Sequence, residues 1–386
     1  MWKHLASNFL TVAILIMIAA GGAIAWGKNQ YTGPGPLADA ICFQVERGTT
    51  FRSAADNLLA KGAISSGYIF RVGADYEDRT ARLKAGSFLI EAKASMQQIA
   101  EAITSGGQST CGTEVNFRIG IAGADIVVRE LDPATNSYQE LVKFDSAAPD
   151  VPAAYTDRAS QPDTRFRITL AEGATSWLVV DALKRAEFLA GDVEAVPPEG
   201  MLAPDSYEVT RGVLRADLLA EMQRRQQATL DALWPDRDEG LPYDTPEEAL
   251  IMASIVEKET GIASERPLVA SVFVNRLRQG MKLQTDPTVI YGLTKGQGIL
   301  GRGLRQSELR GRTPYNTYVI DGLPPTPIAN PGRDSIAAVL HPETSDYIFF
   351  VADATGGHVF AKTLAEHNEN VAKWRAIEAE RQNSSN

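Results

Sequence analysis

The longest uninterrupted apolar stretch lies near the start of the chain, from Phe9 to Trp26, and it contains no charged residue. A run of this length is about enough to cross a bilayer as one helix. Lys3 precedes it, which favours a cytoplasmic N-terminus. A cleaved signal peptide is the alternative, because residues 23–25 resemble a cleavage site. The length of the run favours an uncleaved anchor over residues 1–37, and either interpretation exports the rest of the chain.

After a Gly- and Pro-rich linker, the alternation of apolar and polar positions predicts a small α+β module over residues 38–110. Strands are predicted over Ala40–Val45 and Leu83–Ile90. Three helices are predicted between and after them: one capped by Thr49 or Thr50, one over Tyr68–Val72, and one capped by Ser95.

The middle of the chain has weaker signals. Residues 111–165 are interpreted as an insertion with two β-like runs, Val115–Ile121 and Asp125–Leu131, and a polar connection from Ser146 to Thr164. Residues 166–245 form a connecting part. Its predicted elements are a strand over Phe166–Leu170, helices over Ala174–Leu189 and Leu214–Leu233, and a loop at 204–207.

Residues 246–386 carry the strongest helix signals. Thr245-Pro246-Glu247-Glu248 starts a helix with proline at its first position and acids in its first turn, and the helix ends near Thr260. Ser264 opens a second helix that ends before Gly280. Loops, a strand over Tyr347–Val351 and a final helix over Leu364–Glu380 complete this domain. The expected fold class is therefore α+β, with a mixed α/β domain at the end.

Composition excludes several classes of protein. The chain of 386 residues is 44% hydrophobic and carries a net charge of -10, without the Lys/Arg-rich run typical of nucleic-acid binders. None of the four histidines stands at metal-ligand spacing with a carboxylate, so neither a metal site nor a cofactor is expected. The two cysteines, Cys42 and Cys111, either form one disulfide outside the cytoplasm or are two separate buried thiols.

Glu257 and Glu259 stand at the end of an apolar helix, in which seven of the eight residues from Ala249 to Val256 are hydrophobic. Such a helix is buried nearly all round. A carboxylate at its tip is half desolvated and close to the negative end of the helix dipole, and both effects disfavour the charged form. That environment suits a general acid, whereas the alternative is an ordinary solvated helix end.

A series of motifs identifies this region further. Four come in succession over residues 253–260, 263–266, 270–277 and 283–292; others follow at 315–318, 322–325, 328–332 and 357–360, and one precedes them at 199–207. In sequence and order they resemble the endolytic murein transglycosylase (YceG-like) family. The segment Phe43–Ser105 resembles the LysM-like part of that family, whereas residues 111–164 depart from it.

The resemblance implies a lyase that cuts peptidoglycan glycan strands. It would cleave the β-1,4 bond between N-acetylmuramic acid (MurNAc) and N-acetylglucosamine (GlcNAc), leave 1,6-anhydro ends and limit strand length. Glu257 falls on the family's catalytic glutamate, and Glu259 is the reserve candidate. A muramidase-type hydrolase and a non-catalytic glycan-binding scaffold of the envelope remain the alternatives.

The resemblance also implies a binding loop and partners. The predicted substrate-binding residues are Gln284, Thr285, Asp286, Tyr315 and Asn316, and plain loop scaffolding is the alternative for each. Expected partners are glycan strands, the inner membrane and peptidoglycan synthases (penicillin-binding proteins). The expected location is a single-pass inner-membrane protein with a periplasmic catalytic domain.

Overall fold

The computed structural model describes residues 2–105, 109–161, 164–353 and 355–384. The fold is a mixture of helices and strands, as predicted. It forms two compact units: the first comprises residues 1–115, 127–143 and 150–165, and the second comprises 116–126, 144–149 and 166–386. The finer division of the chain into five segments stays a prediction.

The first helix, α1 (Trp2–Thr32), contains the apolar run. Its part from Phe9 to Thr32 is long and apolar enough to cross a membrane, which is compatible with a single anchor and also with a signal sequence. The linker after α1 is held by backbone hydrogen bonds within the first unit. The Gly33 N–H donates to the Asn29 carbonyl at 2.8 Å, and the Gly35 N–H donates to the Lys93 carbonyl at 3.0 Å.

The first unit contains the predicted small module. Strands β1 (Ile41–Val45) and β2 (Gly86–Ile90) pair antiparallel, and helices α2 (Phe51–Ala60), α3 (Gly67–Tyr76) and α4 (Met96–Thr104) pack with them around an apolar core. Thr50 and Ser95 cap α2 and α4, as predicted. A disulfide joins Cys42 and Cys111 across a Cα–Cα distance of 5.5 Å, which decides between the two interpretations of these cysteines.

A five-stranded sheet has the order β5-β4-β3-β6-β7. Its strands are β3 (Thr113–Ile119), β4 (Ala124–Asp132), β5 (Ser137–Asp145), β6 (Arg165–Leu170) and β7 (Ser206–Val209). The pattern predicted β3, β4 and β6 but missed β5, because this edge strand has no buried residue. It also missed β7, in a predicted loop, and helix α5 (Ala153–Ala159), in the stretch interpreted as a polar connection.

The second unit holds the remaining helices: α6 (Ser176–Arg185), α7 (Arg215–Leu233), α8 (Pro246–Glu259), α9 (Arg266–Arg278), α10 (Asp286–Thr294), α11 (Gln306–Arg310), α12 (Arg333–Leu340) and α13 (Leu364–Ser384). Strands β8 (Phe349–Ala352) and β9 (His358–Ala361) form a hairpin. Helices α10, α11 and α12 replace most of the loops that were predicted after α9. Proline at 287 stands in the first turn of α10, where it starts the helix rather than interrupting it.

Helix α8 is the centre of this unit, and it packs against α9 and α12. Thr245 caps it through a capping box with Glu248, so two orphan backbone donors are satisfied. Every residue from Ala249 to Val256 is buried, as its apolar pattern predicted. A buried, capped helix holds its last turn in place, and that turn carries Glu257, Lys258 and Glu259.

Candidate active site

The side chain of Glu257 lies in the last turn of α8 and is only 6% exposed. Its Oε2 atom accepts a hydrogen bond of 3.0 Å from the Gly332 N–H. Its Oε1 atom lies 3.6 Å from Nη2 of Arg266. The carboxyl group is therefore withdrawn from bulk solvent, as predicted, but it has two polar partners that the apolar pattern of α8 did not indicate.

Arg266, the first residue of α9, forms ion pairs with three carboxylates although its side chain is only 9% exposed. Its Nη2 atom lies 3.0 Å from Oε2 of Glu172, and its Nη1 atom lies 3.6 Å from Oδ2 of Asp334. With Glu257 this makes three acids around one guanidinium, so their negative charges are not fully compensated. We call Glu172, Glu257, Arg266 and Asp334 the Arg266 cluster.

Glu172 is more accessible than Glu257, with a side chain that is 42% exposed against 6%. Partial burial and the neighbouring negative charge of Glu257 raise its pKa, although Arg266 works in the opposite direction. Glu172 therefore holds its proton to a higher pH than an ordinary glutamate does. It is a second carboxyl group beside the predicted catalytic acid.

The Gly332 N–H is brought to Glu257 by a strap of residues 328–332. The fully buried Asn330 fixes this strap, because its Nδ2 donates to the Ala174 carbonyl and its Oδ1 accepts from the Leu202 N–H, both at 2.9 Å. Gln226 adds a bond of 3.1 Å to the Pro331 carbonyl. These buried amides hold a backbone donor in place opposite Glu257.

Two glycines allow the backbone to pass close to the acids. A Cβ atom on Gly332 would overlap the carboxylate of Glu172, so a larger residue there would displace that side chain. Gly173 has a φ of +76°, and a Cβ atom there would lie 3.7 Å from Cγ of Glu257. Glycine at 173 is favoured by its left-handed backbone, whereas glycine at 332 leaves room for the Glu172 carboxylate in its present position.

Lys258 turns away from the Arg266 cluster, and its Nζ donates to the Gly173 carbonyl at 3.3 Å. Burial lowers its pKa, while the charges of Glu257 and Glu199 act in the opposite direction. Glu199 accepts from the Ser176 N–H at 2.7 Å and from the Tyr291 hydroxyl at 3.1 Å. Burial raises the pKa of Glu199, and this acid joins α6 and α10 behind the site.

Glu259 has different partners from Glu257, although the two acids are only two residues apart. Its Oε1 accepts a short hydrogen bond from the Thr285 hydroxyl. Burial raises its pKa, and the charge of Asp286 adds to the effect. Glu259 thus connects the end of α8 to the predicted binding segment.

Within that segment, Gln284 and Asp286 are exposed whereas Thr285 is buried. Gln284 has a φ of +51°, and its N–H donates to the Thr317 carbonyl at 3.1 Å. Asp286 begins α10 and does not lie in a loop; it accepts from the Tyr318 hydroxyl at 2.7 Å. The two exposed side chains flank a buried threonine that is tied to Glu259.

Tyr315 and Asn316 have unlike surroundings. The Tyr315 ring lies 5.0 Å from that of Tyr291, and its hydroxyl is 2.8 Å from that of Thr326. Asn316 is fully buried, and its Nδ2 donates to three carbonyls of residues 308–311. Its Oδ1 accepts from the Tyr318 N–H. The geometry favours a scaffold role for Asn316, and substrate contact by these residues stays a prediction.

Four residues at the site were not identified from the sequence: Glu172, Arg266, Gly332 and Asp334. Arg266 and Gly332 stood inside recognised motifs, where their charge and their lack of a side chain were the available signals. Glu172 precedes Gly173 between β6 and α6 and had no signal of its own. Its contact with Arg266 spans 94 residues of sequence, so only the fold reveals it.

The sequence is similar to known proteins over most of its length. The model of the YceG-like family matches residues 43–373. An endolytic murein transglycosylase of Bacillus subtilis is 46% identical over 125 residues, which are 32% of this chain and 34% of that protein. One from Streptococcus pneumoniae is 26% identical over 353 residues, covering 85% of this chain and 57% of the relative. The chain thus spans little more than half the length of this second relative.

A solved structure is also similar. The crystal structure of a YceG-like protein from Listeria monocytogenes has a TM-score of 0.46 and 24% sequence identity. The match covers 86% of this chain and 98% of that one.

Proposed function

The chain belongs to the YceG-like family, whose model spans most of it, and on that basis we propose that it is an endolytic murein transglycosylase, a lyase that cuts glycan strands of peptidoglycan. The curated relatives that support the proposal carry this name. The observation that carries it is the shielded carboxyl of Glu257, which the recognised motif and the buried helix α8 place beside a backbone donor and a cation.

The proposed bond is the β-1,4 linkage between MurNAc and GlcNAc. Glu257 donates its proton to the bridging oxygen as the bond from C1 of MurNAc breaks, so GlcNAc leaves with a free 4-hydroxyl. The C6 hydroxyl of the same MurNAc attacks C1 and gives its proton to the Glu257 carboxylate. Atoms and protons balance without water: the product is a 1,6-anhydro end, and the acid is regenerated.

The partners of Glu257 suit this double role. While Glu257 is a carboxylate, between the two proton transfers, the Gly332 N–H and the Arg266 guanidinium stabilise its negative charge. The same two contacts hold the carboxylate in place to accept the proton of the C6 hydroxyl.

The predicted binding segment would hold the sugars next to this acid. Gln284 and Asp286 are exposed and present hydrogen-bonding groups, and the Tyr315 ring offers a face for stacking on a sugar. Thr285 and Asn316 contribute to the same site through the bonds that shape the segment. The module with β1 and β2 would add glycan affinity as a LysM-like part.

The proposed location follows from α1. As a single-pass anchor with a cytoplasmic N-terminus, it would place both units in the periplasm, where peptidoglycan is made. Cleavage there, beside peptidoglycan synthases, would limit the length of new strands.

The test is mass analysis of glycan fragments after digestion of uncrosslinked strands by the full-length protein. We expect 1,6-anhydro ends from the wild type and at least a 100-fold lower rate from Glu257→Gln. Glu247→Gln makes the same chemical change in the exposed first turn of α8 and serves as the control. Undiminished cleavage by folded Glu257→Gln would refute the assignment.

A muramidase-type hydrolase is the second candidate, and Glu172 is the observation that favours it. Hydrolases normally use two carboxylates, and Glu172 and Glu257 both contact Nη2 of Arg266. Digestion in ¹⁸O-labelled water separates the two reactions, because a hydrolase yields reducing ends that carry the label. A non-catalytic scaffold would yield neither product.

A further inference from the structure

Helix α3 carries an exposed stripe of large side chains. Tyr68, Val72 and Tyr76 recur every fourth residue, so they lie along one face of the helix. They are 70%, 51% and 91% exposed, whereas Phe70 and Ala74 of the same helix are in the core. We call these three residues the outer stripe. A continuous apolar and aromatic face of this kind typically marks an interaction surface.

The last turn of α1 is fixed to α3 close to this stripe. The ring of Tyr31 is buried against Gly73, where a Cβ atom would overlap it. The Tyr31 hydroxyl donates to Oε2 of Glu77 at 3.3 Å. Gly73 and Tyr76 are three residues apart and therefore neighbours on the helix surface. The outer stripe thus adjoins the contact between α3 and α1.

The position of Tyr31 along α1 indicates how far α3 lies from the apolar core of a membrane that α1 crosses. The apolar run ends at Trp26, which is exposed. Five further residues of helix advance about 7.5 Å along the axis, and the headgroup layer on each side of a bilayer is roughly 5–7.5 Å thick. If α1 crosses the bilayer, Tyr31 and the part of α3 that it contacts lie at the outer edge of the lipid headgroups.

We propose that the outer stripe is a lipid-contacting surface that inserts into the headgroup layer of the membrane that α1 crosses. Tyrosine is enriched at this level of the membrane, because its ring is apolar and its hydroxyl is polar. The contact would hold the first unit against the bilayer at a fixed orientation. The inference rests on the proposed anchorage of α1, which can be measured separately.

The test uses the full-length protein in phosphatidylcholine–phosphatidylglycerol vesicles. Tyr76→Cys is labelled with the environment-sensitive fluorophore NBD, and quenching by lipids with a doxyl group near the headgroup is measured. Glu46→Cys is the control, since Glu46 is exposed in the turn after β1, outside the helices that contact α1. Tyr68→Cys repeats the measurement at the other end of the stripe. Circular dichroism and an intact disulfide establish that each variant is folded.

We expect the labels at 76 and 68 to be quenched at least about twofold more than the label at 46. Equal quenching at all three positions, or none at 76 and 68, would overturn the proposal. Flotation of the vesicles checks α1 itself: protein that does not float refutes the anchorage and this inference, but leaves the proposed cleavage reaction standing. A fluorescence change at 76 on adding soluble glycan strands, without quenching by lipid, would instead assign the stripe to glycan.

Discussion

At the scale of single residues, the site contains more carboxylates than positively charged groups. Three carboxylates surround Arg266, and two of them contact the same guanidinium nitrogen. Arg266 is itself almost wholly buried, so it cannot turn to solvent when one acid is removed. Gly332 lies beside both Glu172 and Glu257, so a side chain at this position would change how these acids contact Arg266.

Gly332→Ala tests this arrangement. The φ of Gly332 is -72°, which alanine adopts freely, so the expected effect comes from the new methyl group alone. It displaces the Glu172 carboxylate and weakens its contact with Arg266. We expect roughly a tenfold lower cleavage rate with a melting temperature close to that of the wild type.

The control for this change is Gly261→Ala, because a Cβ atom at Gly261 meets open space. The double variant Gly332→Ala/Glu172→Gln should cleave no more slowly than the slower single variant, since both changes break the same contact. Strictly additive losses would show that the methyl group acts through something other than Glu172.

Glu259 gives a prediction for the dependence of stability on pH. Burial raises its pKa in the folded protein, so the stability it contributes is fully present below the unfolded pKa, near 4.5. That stability is lost as pH rises through the raised folded value. Glu259→Gln cannot ionise, so its free energy of unfolding should improve relative to the wild type as pH rises from 4 to 8.

Urea denaturation across this pH range measures the difference. Glu308→Gln is a control of opposite sign: hydrogen bonds from Arg302 and the backbone of Arg305 lower the pKa of Glu308 to about 2. Wild-type Glu308 therefore adds stability above the unfolded pKa, and its removal should cost stability there. A pH-independent difference for Glu259→Gln would contradict the prediction.

The sequence predicted the position of Glu257 but not its partners, for a physical reason. The burial of Glu257 follows from the apolar residues just before it, which are local in the chain. Its bond to Gly332 spans 75 residues. Nothing in a local pattern reports contacts of that length, so the donor opposite Glu257 had to come from the fold.

At the scale of elements, start signals predicted those helices whose first turn is capped by a threonine or serine side chain. Thr50, Ser95 and Thr245 each cap the helix that follows, as predicted. The missed elements are those with few buried residues or with a first turn that resembles a loop. Strand β5 has no buried position, and α10 begins with Asp286 and a proline.

Thr245→Ala tests the value of the cap on α8. The Thr245 hydroxyl accepts from the Glu248 N–H at 3.2 Å, and loss of such a cap typically costs about 1 kcal/mol. We expect that loss in the free energy of unfolding, measured by urea denaturation, with little change in the cleavage rate of the remaining folded protein.

Thr229→Ala is the matched control, because Thr229 lies inside α7 and its exposed hydroxyl only bonds back to the Arg225 carbonyl. Alanine is the better helix former, so this change should be neutral or stabilising. Equal losses at the two positions would show that the cap contributes nothing specific.

At the scale of the whole molecule, the boundaries of the two units could not be predicted. The chain passes from one unit to the other within β3, β4, β5 and β6 and between residues 149 and 150, whereas a sequence pattern assigns consecutive residues to one segment. The sequence did indicate which region lies between the bridged cysteines, since Cys42 and Cys111 flank the predicted module.

Cys42→Ser/Cys111→Ser gives the prediction at this scale. The bridge closes a loop between cysteines 69 residues apart, and the chain-entropy estimate for a loop of this size is about 4 kcal/mol. Both cysteines belong to the first unit, so the loss should appear mainly there. Hydrogen-exchange mass spectrometry should show faster exchange in peptides from residues 38–105, while those from residues 246–340 change little. An equal increase in both sets would contradict this, because it would mean that the two units unfold as one cooperative body.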